Sequence, residues 1–299
     1  MRIFFRPLIL LVVLVGFFPV LGAEDAPAAA RKGRHSLWKI EEKGNTVYLL
    51  GSVHFLRETN YPLAEVINTA FEKSKVVAFE TDMKKLESIE IQQKILGKAM
   101  LPAEQTIKDQ VSPETYSSLS NYLDEAGMPS LVFDRLKPGL AALTLAVLEL
   151  QKLGFDPEYG IDKHFHKRAE KGGKEFVALE TVEFQVDLVT SFGKAEAEDL
   201  LKATLKDLKR SRSIFEELTS AWEKGDSEKL EALLNESMRE VPDLFKRMVT
   251  DRNKSWVPKI EEMIKGKQTA IVIVGAGHLA GKESVVELLR AKGYKIEQL

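Results

Sequence analysis

The stretch TAIVIVGAGHLAG, residues 269–281, decides the fold class of this chain. Its first half is a continuous run of apolar, largely β-branched residues, which is typical of a strand buried on both faces of a sheet. Its second half turns at glycine and places His278 just beyond the strand. A distant stretch, YLLGSVH at residues 48–54, has the same order and places His54 in the same position. We therefore predict two strands that each deliver a histidine to the following turn.

Six segments have the length and composition of strands. A break of the hairpin type, Glu42-Lys43-Gly44-Asn45, separates the first two. A helix predicted over 62–74 joins the second strand to the third, so these two strands should be parallel, as in a βαβ unit. The sequence thus predicts an α/β (α+β) fold with a mixed, partly parallel central sheet and helical insertions. The six predicted strands are 36–41, 46–53, 75–80, 174–180, 269–274 and 294–299.

Composition divides the chain into three regions. Residues 1–23 have a basic start, an apolar run and small residues at their end, which is the pattern of a secretory signal peptide. The apolar run is shorter than the roughly 20 residues that span a bilayer, so we expect no stable membrane span after cleavage; an uncleaved anchor is the alternative. Residues 24–35 are predicted to be a disordered leader, and 36–299 one domain. Within that domain we expect core strands near 36–82, 174–190 and 268–299, and helical insertions at 84–170 and 190–266.

The charge and the residue types exclude several classes of function. The net charge of −2 is mild and argues against nucleic acid as a partner, since nucleic-acid binding favours a clustered basic face. The chain has no cysteine, which excludes a disulfide framework and thiol catalysis and leaves His, Asp and Glu as metal ligands. We expect an exported protein, either periplasmic or secreted. Its oligomeric state does not follow from the sequence.

Four of the predicted strands stop at a potential metal ligand. His54 and His278 follow two of them, while Glu80 follows VVAF and Glu180 follows FVAL. The carboxyl ends of parallel strands share one edge of a sheet, and ligands bind at that edge. Two imidazoles and two carboxylates suit a divalent ion such as Mn, Co or Zn, which acidifies a bound water. A glutamate that does not bind the ion would act as the base, and which of the two does so stays open.

Each of these residues also has an ordinary structural explanation. A histidine after a glycine turn is often only part of the turn, and a glutamate after a strand often caps a helix or faces solvent. Glu180, for example, could simply precede a helix beginning at Val182. The joint prediction rests on the expectation that all four residues lie at the same edge.

Other polar residues are secondary candidates. Arg252 would hold a carboxylate or stabilise a developing oxyanion, or else form an exposed pair with Asn253. Gln185 would orient one of the metal ligands through a hydrogen bond, without binding the ion itself. Asp162 begins the stretch DKHFH, which we interpret as a solvated helix face because Lys163 and further basic residues surround it; a second metal site is the alternative.

The segment GAGHLAG also fits a dinucleotide-binding fingerprint, with Glu297 at the distance expected of a ribose-binding acid. We disfavour this interpretation because the fingerprint requires a full βαβ context, and no further half is expected after Leu299. An exported protein would also meet little nicotinamide cofactor.

Several segments together resemble the TraB/GumN family, which is related to Tiki-type metalloproteases and to erythromycin esterase/ChaN-like proteins. The resemblance implies an erythromycin esterase/ChaN-like core, with His54 and His278 as the motif histidines and Glu80 and Glu180 as their acidic partners. It also implies that Tyr159 and Asp162 line the cleft. The matching segments are YLLGSVH (48–54), VVAFETD (76–82), YGIDKHF (159–165), FVALETVEFQ (176–185), DRN (251–253) and IVGAGHLAG (273–281).

The residues and the resemblance lead to one preferred function and two alternatives. The preferred function is an exported, metal-dependent hydrolase of the metalloprotease or peptidase kind, acting on peptides or proteins, with Glu80, Glu180 and Arg252 as catalytic candidates. The first alternative is a protein that binds a metal, haem or another ligand at the same cleft without turnover. The second is a structural or interaction protein that has kept the fold.

Overall fold

A six-stranded mixed sheet forms the centre of the computed structural model, which describes residues 33–236 and 238–299. All six predicted strands are present, and the strand order across the sheet is β4-β3-β5-β2-β1-β6. The predicted signal peptide and nearly all of the predicted leader lie outside the described residues. The strands are β1 (Leu37–Glu42), β2 (Asn45–Ser52), β3 (Val76–Phe79), β4 (Glu175–Ala178), β5 (Ala270–Gly275) and β6 (Ile296–Gln298).

The direction of the strands confirms the predicted mixed, partly parallel sheet. Strand β5 pairs in parallel with β2 on one side and with β3 on the other, and β3 pairs in parallel with β4. Strands β2 and β3 are therefore parallel, as predicted, although β5 lies between them. Strand β1 is antiparallel to both β2 and β6. The carboxyl ends of β2, β3, β4 and β5 consequently lie at one edge of the sheet.

The predicted hairpin between β1 and β2 is present as a two-residue turn. Glu42 pairs with Asn45, and the intervening Lys43 and Gly44 have φ angles of 47° and 83°. Positive φ at both central residues matches the right-handed twist of the flanking strands. Glycine adopts this conformation without steric cost, whereas Lys43 is the single described non-glycine residue with positive φ.

Helices cover both faces of the sheet. The α-helices are α1 (Glu65–Lys73), α2 (Met83–Leu86), α3 (Ile89–Ala99), α4 (Pro113–Glu125), α5 (Leu131–Asp134), α6 (Pro138–Lys152), α7 (Ile161–Lys171), α8 (Val182–Thr190), α9 (Lys194–Leu208), α10 (Ser211–Glu223), α11 (Ser227–Glu231), α12 (Pro242–Phe245), α13 (Asp251–Lys265) and α14 (Val285–Ala291). Within the described residues, none of these helices has the length and apolar character that crossing a bilayer requires.

The charged sequence from Glu196 to Lys224 predicts one long helix, and this prediction is wrong. The segment forms α9 and α10, with a break before Ser211. The hydroxyl of Ser211 donates to the carbonyl of Leu208 at 2.8 Å, so a side chain takes part in the hydrogen bonding of the first helix's end. Serine favours helix ends because its hydroxyl can hydrogen-bond to a nearby backbone carbonyl in place of a backbone amide.

Alternate residues of the central strand enter two different apolar layers. Ile271 and Ile273 pack with the helices that include α1, α6, α7 and α10. Val272 and Val274 pack on the opposite face, against α13 and α14. The burial of each aliphatic side chain stabilises the folded state by about 1.5–3 kcal/mol relative to leaving it exposed. The continuous apolar run of β5 is thus explained by burial on both faces, and the packing fixes the edge where its carboxyl end emerges.

The two ends of the domain meet beside this same edge. The amide of His35 donates to the carbonyl of Leu299 at 2.6 Å, and the amide of Leu299 donates to Leu37 at 2.9 Å. Leu37 pairs with Leu50 near the carboxyl end of β2. His35 and Leu299 therefore lie close to the carboxyl end of β2.

Candidate active site

Four polar residues lie at the carboxyl edge of the parallel strands. His54 follows β2, Glu80 directly follows β3, and Glu180 follows β4 by two residues. His278 ends a short 3₁₀ turn, Ala276–His278, that follows β5. The sheet topology accounts for their convergence, since neighbouring parallel strands release the chain at the same level.

Two glycines allow the backbone segments around the histidines to approach closely. A Cβ atom at Gly51 would lie 3.2 Å from the Cα of Ala276, so β2 and the turn before His278 are in tight contact. A Cβ atom at Gly160 would overlap the carbonyl oxygen of His54. Any larger residue at Gly160 would therefore displace the backbone that carries this histidine.

Arg252 joins the two acidic residues. Its Nη2 donates to Glu80 Oε2 at 2.6 Å and to Glu180 Oε2 at 2.9 Å, and its Nε donates to Glu180 Oε1 at 2.9 Å. The second oxygen of Glu80 accepts from the amide of Gly275 at 2.7 Å. The guanidinium is planar and presents its donors as a fork, which matches the carboxylate geometry. The arginine thus fixes both carboxylates that the sequence placed at this edge.

The alternative of an exposed pair at Arg252 and Asn253 is wrong, because both residues are buried, with 1% and 0% of their surface exposed. A π-helical turn, Lys246–Thr250, directly precedes α13, and Arg252 Nη1 donates to the carbonyl of Met248 at 3.3 Å. Such turns shift the direction of the side chains that follow and are frequent at functional sites.

Burial and charge act on Arg252 in opposite directions. Burial alone would lower the pKa of the guanidinium, but the charges and hydrogen bonds of Glu80 and Glu180 outweigh it and raise the pKa. Arg252 is therefore permanently charged. With both carboxylates ionised, this group of three side chains carries one negative charge in excess of its positive charge.

His278 is held as a neutral ring. Its Nδ1 lies 2.7 Å from Asn253 Oδ1 and its Nε2 lies 3.1 Å from Arg252 Nη1. Since Asn253 Oδ1 only accepts and the arginine only donates, the hydrogen is assigned to Nδ1 and the lone pair to Nε2. Burial, then the charge of Arg252 and that of His54, hold the pKa of His278 well below its usual range.

His54 belongs to a second hydrogen-bonded group. Its Nδ1 lies 2.6 Å from Asp162 Oδ2, and the hydroxyl of Ser52 donates to Asp162 Oδ1 at 2.9 Å. Because a carboxylate only accepts, Nδ1 of His54 carries the hydrogen. The interpretation of Asp162 as part of a solvated helix face is wrong, since this residue is buried at the start of α7. The basic residues around it masked this role in the sequence, although only Lys167 is half exposed and Lys163 is mostly buried in an ion pair with Glu158.

The remaining sequence candidates differ in what the structure shows of them. Gln185 Nε2 donates to Glu80 Oε2 at 3.2 Å and to Glu180 Oε2 at 3.3 Å, which are the contacts that an orienting role requires. Tyr159 lies in a 3₁₀ turn before Gly160, and its carbonyl accepts from the hydroxyl of Tyr61 at 2.7 Å. A role for the Tyr159 ring in the cleft stays a prediction.

Sequence reasoning did not identify two residues that complete the site. Trp256 lies against His278, with ring centroids 4.5 Å apart, and the guanidinium of Arg252 lies 4.8 Å from its ring. Its position four residues after Arg252 on one helix was the available signal. Ser52, in contrast, gave no signal for its contact with Asp162, because the two are 110 residues apart.

The residues at this edge offer donors for the divalent ion that the sequence implies, but not a complete set of ligands. Among the described residues, no three His, Asp or Glu side chains are arranged as a set that would hold a metal ion. The chemistry of the donors does fit a cation: each imidazole has its Nδ1 tied to an oxygen, as in metal-binding histidines, and the carboxylates outnumber the guanidinium. An ion bound by Glu80 and Glu180 would take over contacts that Arg252 now makes. The ligand assignment therefore stays a prediction.

Comparison with known proteins assigns the chain to a family. The chain is 26% identical over 267 residues to the protein YbaP of Escherichia coli (strain K12), covering 88% of this chain and 96% of YbaP, and equally so to YbaP of Shigella flexneri. It is 22% identical over 315 residues to Metalloprotease TIKI1 of Danio rerio, covering 87% of this chain and 62% of that relative. No solved structure matches significantly, so the expected erythromycin esterase/ChaN-like core stays a prediction. The family model described as TraB/PrgY/gumN matches residues 36–298, and the chain belongs to this family.

Proposed function

We propose that this protein is an exported, metal-dependent hydrolase that cleaves amide bonds in peptides or proteins. One observation carries the proposal: two histidines, each with Nδ1 tied to an oxygen acceptor, lie at the same sheet edge as two paired carboxylates. The similarity to Metalloprotease TIKI1 supports the same class of reaction. The signal-like composition of residues 1–23 supports export.

The proposed roles follow from the hydrogen bonds. His54 and His278 would bind the ion through Nε2, together with one or both of Glu80 and Glu180, and Nε2 of His278 would exchange its present hydrogen bond from Arg252 for the ion. A bound divalent ion of this kind lowers the pKa of a water ligand and polarises a carbonyl. The glutamate that is not a ligand would accept the proton from the attacking water and later give it to the leaving amine.

The other residues of the site hold these groups in place. Asp162 and Asn253 fix the ring orientation and tautomer of the two histidines. Arg252 and Gln185 hold the carboxylates in a defined geometry before substrate arrives, so that less reorganisation is required during the reaction.

Metal analysis of the purified protein tests the proposed site. We expect about one divalent ion per chain, lost in His54→Ala and in His278→Ala, because each variant removes a ligand that is already oriented. His166→Gln is the matched control: it also removes one imidazole, but from a ring that packs on Phe79 and Phe176. Equal metal content in the wild type, the control and the double histidine variant would refute the site.

Cleavage assays then separate a hydrolase from a binding protein. A peptide library is incubated with the protein supplemented with Mn, Co or Zn. The substitutions Glu80→Gln and Glu180→Gln distinguish the roles: loss of turnover with metal retained identifies the base, whereas loss of both identifies a ligand. A metal-loaded protein that cleaves nothing in the library would favour the non-catalytic alternative.

A further inference from the structure

An apolar cavity opens beside the candidate active site. It has a volume of about 300 Å³ and lies between α3, α6 and α8. This volume lies at the lower end of the range of small-ligand sites, about 300–1,000 Å³. Aliphatic side chains form most of its wall, and no residue with a formal charge lines it. The cavity therefore suits an uncharged, aliphatic group.

The few polar groups in the wall are already hydrogen-bonded. Thr144 Oγ1 donates to the carbonyl of Leu140 at 2.8 Å, and Gln92 Nε2 donates to the carbonyl of Leu86 at 3.0 Å. These side chains therefore have few donors left for a hydrogen bond to a polar ligand. An aliphatic group, in contrast, gains from leaving water without displacing any of these bonds.

Gln185 connects the cavity to the candidate active site. Its side chain lines the cavity and also donates to both Glu80 and Glu180. A ligand in the cavity therefore ends one side chain away from the two carboxylates. An apolar group bound there would hold an attached amide beside the acidic residues.

We propose that this cavity binds an aliphatic group of the substrate next to the amide bond that is cleaved. The proposal rests on the function proposed above and names the substrate class. Leu96 lies at the entrance with 59% of its surface exposed, which gives the incoming group an apolar surface outside the cavity as well. The aliphatic group is either a side chain of a peptide or an acyl chain attached to the amide.

Calorimetric binding of a series of N-acyl alanine amides, from acetyl to decanoyl, tests the proposal with the purified protein. We expect the affinity to rise by about fourfold for each methylene that is buried, until the cavity is full. A second set, unacylated peptides with Ala or Leu at successive positions, distinguishes a side-chain site from an acyl-chain site. Preference in either set supports the cavity, while equal affinity across both sets would overturn it.

Two variants of exposed residues on α3 provide the control. Leu96→Glu places a charge at the cavity and should weaken the preferred long-chain or Leu ligand at least tenfold, without weakening the short one. Ile89→Glu introduces the same charge at a residue that is 78% exposed and does not line the cavity, and should change neither affinity. A third variant, Val189→Phe, fills the cavity from α8 and should give the same selective loss. Equal effects of Leu96→Glu and Ile89→Glu would contradict the assignment.

The binding assay also distinguishes failure of this inference from failure of the proposed function. The double variant His54→Ala/His278→Ala lacks both proposed metal ligands but keeps the cavity. Chain-length-dependent binding in this variant, with no metal and no turnover in the wild type, would sustain the cavity and reject the hydrolase. Metal binding and turnover without any preference for aliphatic groups would support the hydrolase and reject the cavity as a substrate site.

Discussion

At the residue scale, the central contact is between Arg252 and two buried acids. The guanidinium is fully buried, and the side chains of Glu80 and Glu180 are only 8% and 5% exposed. Desolvated charges are costly when unpaired, so the partners in such a group depend on one another strongly. The arrangement explains how two acidic side chains can be buried at the end of an otherwise apolar set of strands.

Replacement of Arg252 by methionine should therefore destabilise the protein by about 3–5 kcal/mol, because two carboxylates lose their buried counter-charge. Arg252→Lys should recover only part of this loss, since an ammonium group lacks the planar fork. Urea unfolding followed by circular dichroism measures the change. Arg212→Met, at a side chain that is 64% exposed, is the control and should have little effect. Equal unfolding midpoints for both methionine variants would contradict the role of the buried group.

The position of a single residue could be predicted where neighbouring residues in the sequence indicate it. His54, His278, Glu80 and Glu180 were found because each directly follows an apolar run, and the shared edge is a property of parallel strands. The burial of Arg252 and Asp162 could not be found in this way, because the helices that carry them are polar in sequence. Only the packing of those helices against the sheet edge brings their charged residues inside.

At the scale of elements, the beginning of α4 depends on a residue from α9. Glu198 accepts hydrogen bonds from the amide of Ser112 and the hydroxyl of Thr115, both at 2.9 Å. A carboxylate at a helix N-terminus pairs with otherwise unsatisfied amides and with the positive end of the helix dipole. Hydrogen bonds from Ser112, followed by those from Lys202 and Thr115, lower the pKa of Glu198 from 4.5 to about 2 despite partial burial.

This contact predicts a pH-dependent contribution to stability. The folded pKa of Glu198 lies below its unfolded value, so its contribution is complete above pH 4.5 and is lost as the pH falls toward 2. At neutral pH, Glu198→Gln should lower the free energy of unfolding by about 1 kcal/mol after solvent screening, and the difference from wild type should disappear in acid. Urea unfolding across this pH range measures it. Glu217→Gln, in an exposed ion pair with Lys229, should show no such trend. A difference for Glu198→Gln that does not change with pH would refute the contribution.

Elements were predicted better than their connections. All six strands follow from apolar or alternating runs bounded by turn residues. The sequence Ser112-Pro113 is a typical helix start, and α4 begins there. The break between α9 and α10 was missed because the surrounding sequence is uniformly charged and has no glycine or proline there. The serine that marks the break also occurs commonly on exposed helix surfaces.

At the scale of the whole molecule, the sheet is most protected at its centre. Strand β5 has hydrogen-bonded neighbours on both sides and apolar layers on both faces, whereas β4 and β6 form the edges. Local openings are rarest where backbone hydrogen bonds and burial are densest. The strand with the continuous apolar run is therefore also the structural centre of the sheet.

Hydrogen–deuterium exchange measured by mass spectrometry should show this order directly. We expect amides of β5 to exchange slowest, those of β2 and β3 at intermediate or similarly slow rates, and those of β4 and β6 fastest. Peptides from the exposed helix α2 serve as a fast-exchanging reference. Exchange in β5 as fast as in β4 would contradict the central position of β5.

The overall strand order could not be predicted from the sequence. Adjacent strands β2 and β5 are separated by more than two hundred residues along the chain, and hydrophobic patterns do not specify which distant strand is the neighbour. The sequence predicted a shared edge for four residues because that expectation needs only a common strand direction. The pairing itself depends on the packing of both sheet faces.

The meeting of the domain's first and last residues has a practical consequence for orientation. His35 and Leu299 lie beside the carboxyl ends of the parallel strands, so a group attached next to either residue would lie on the same side of the domain as the candidate active site. A tether next to either residue would turn the candidate active site toward whatever anchors the protein, and a bulky fusion there would lie near this site. Attachment through an exposed loop on the far side, such as the turn at Lys43 and Gly44, would leave the site unobstructed.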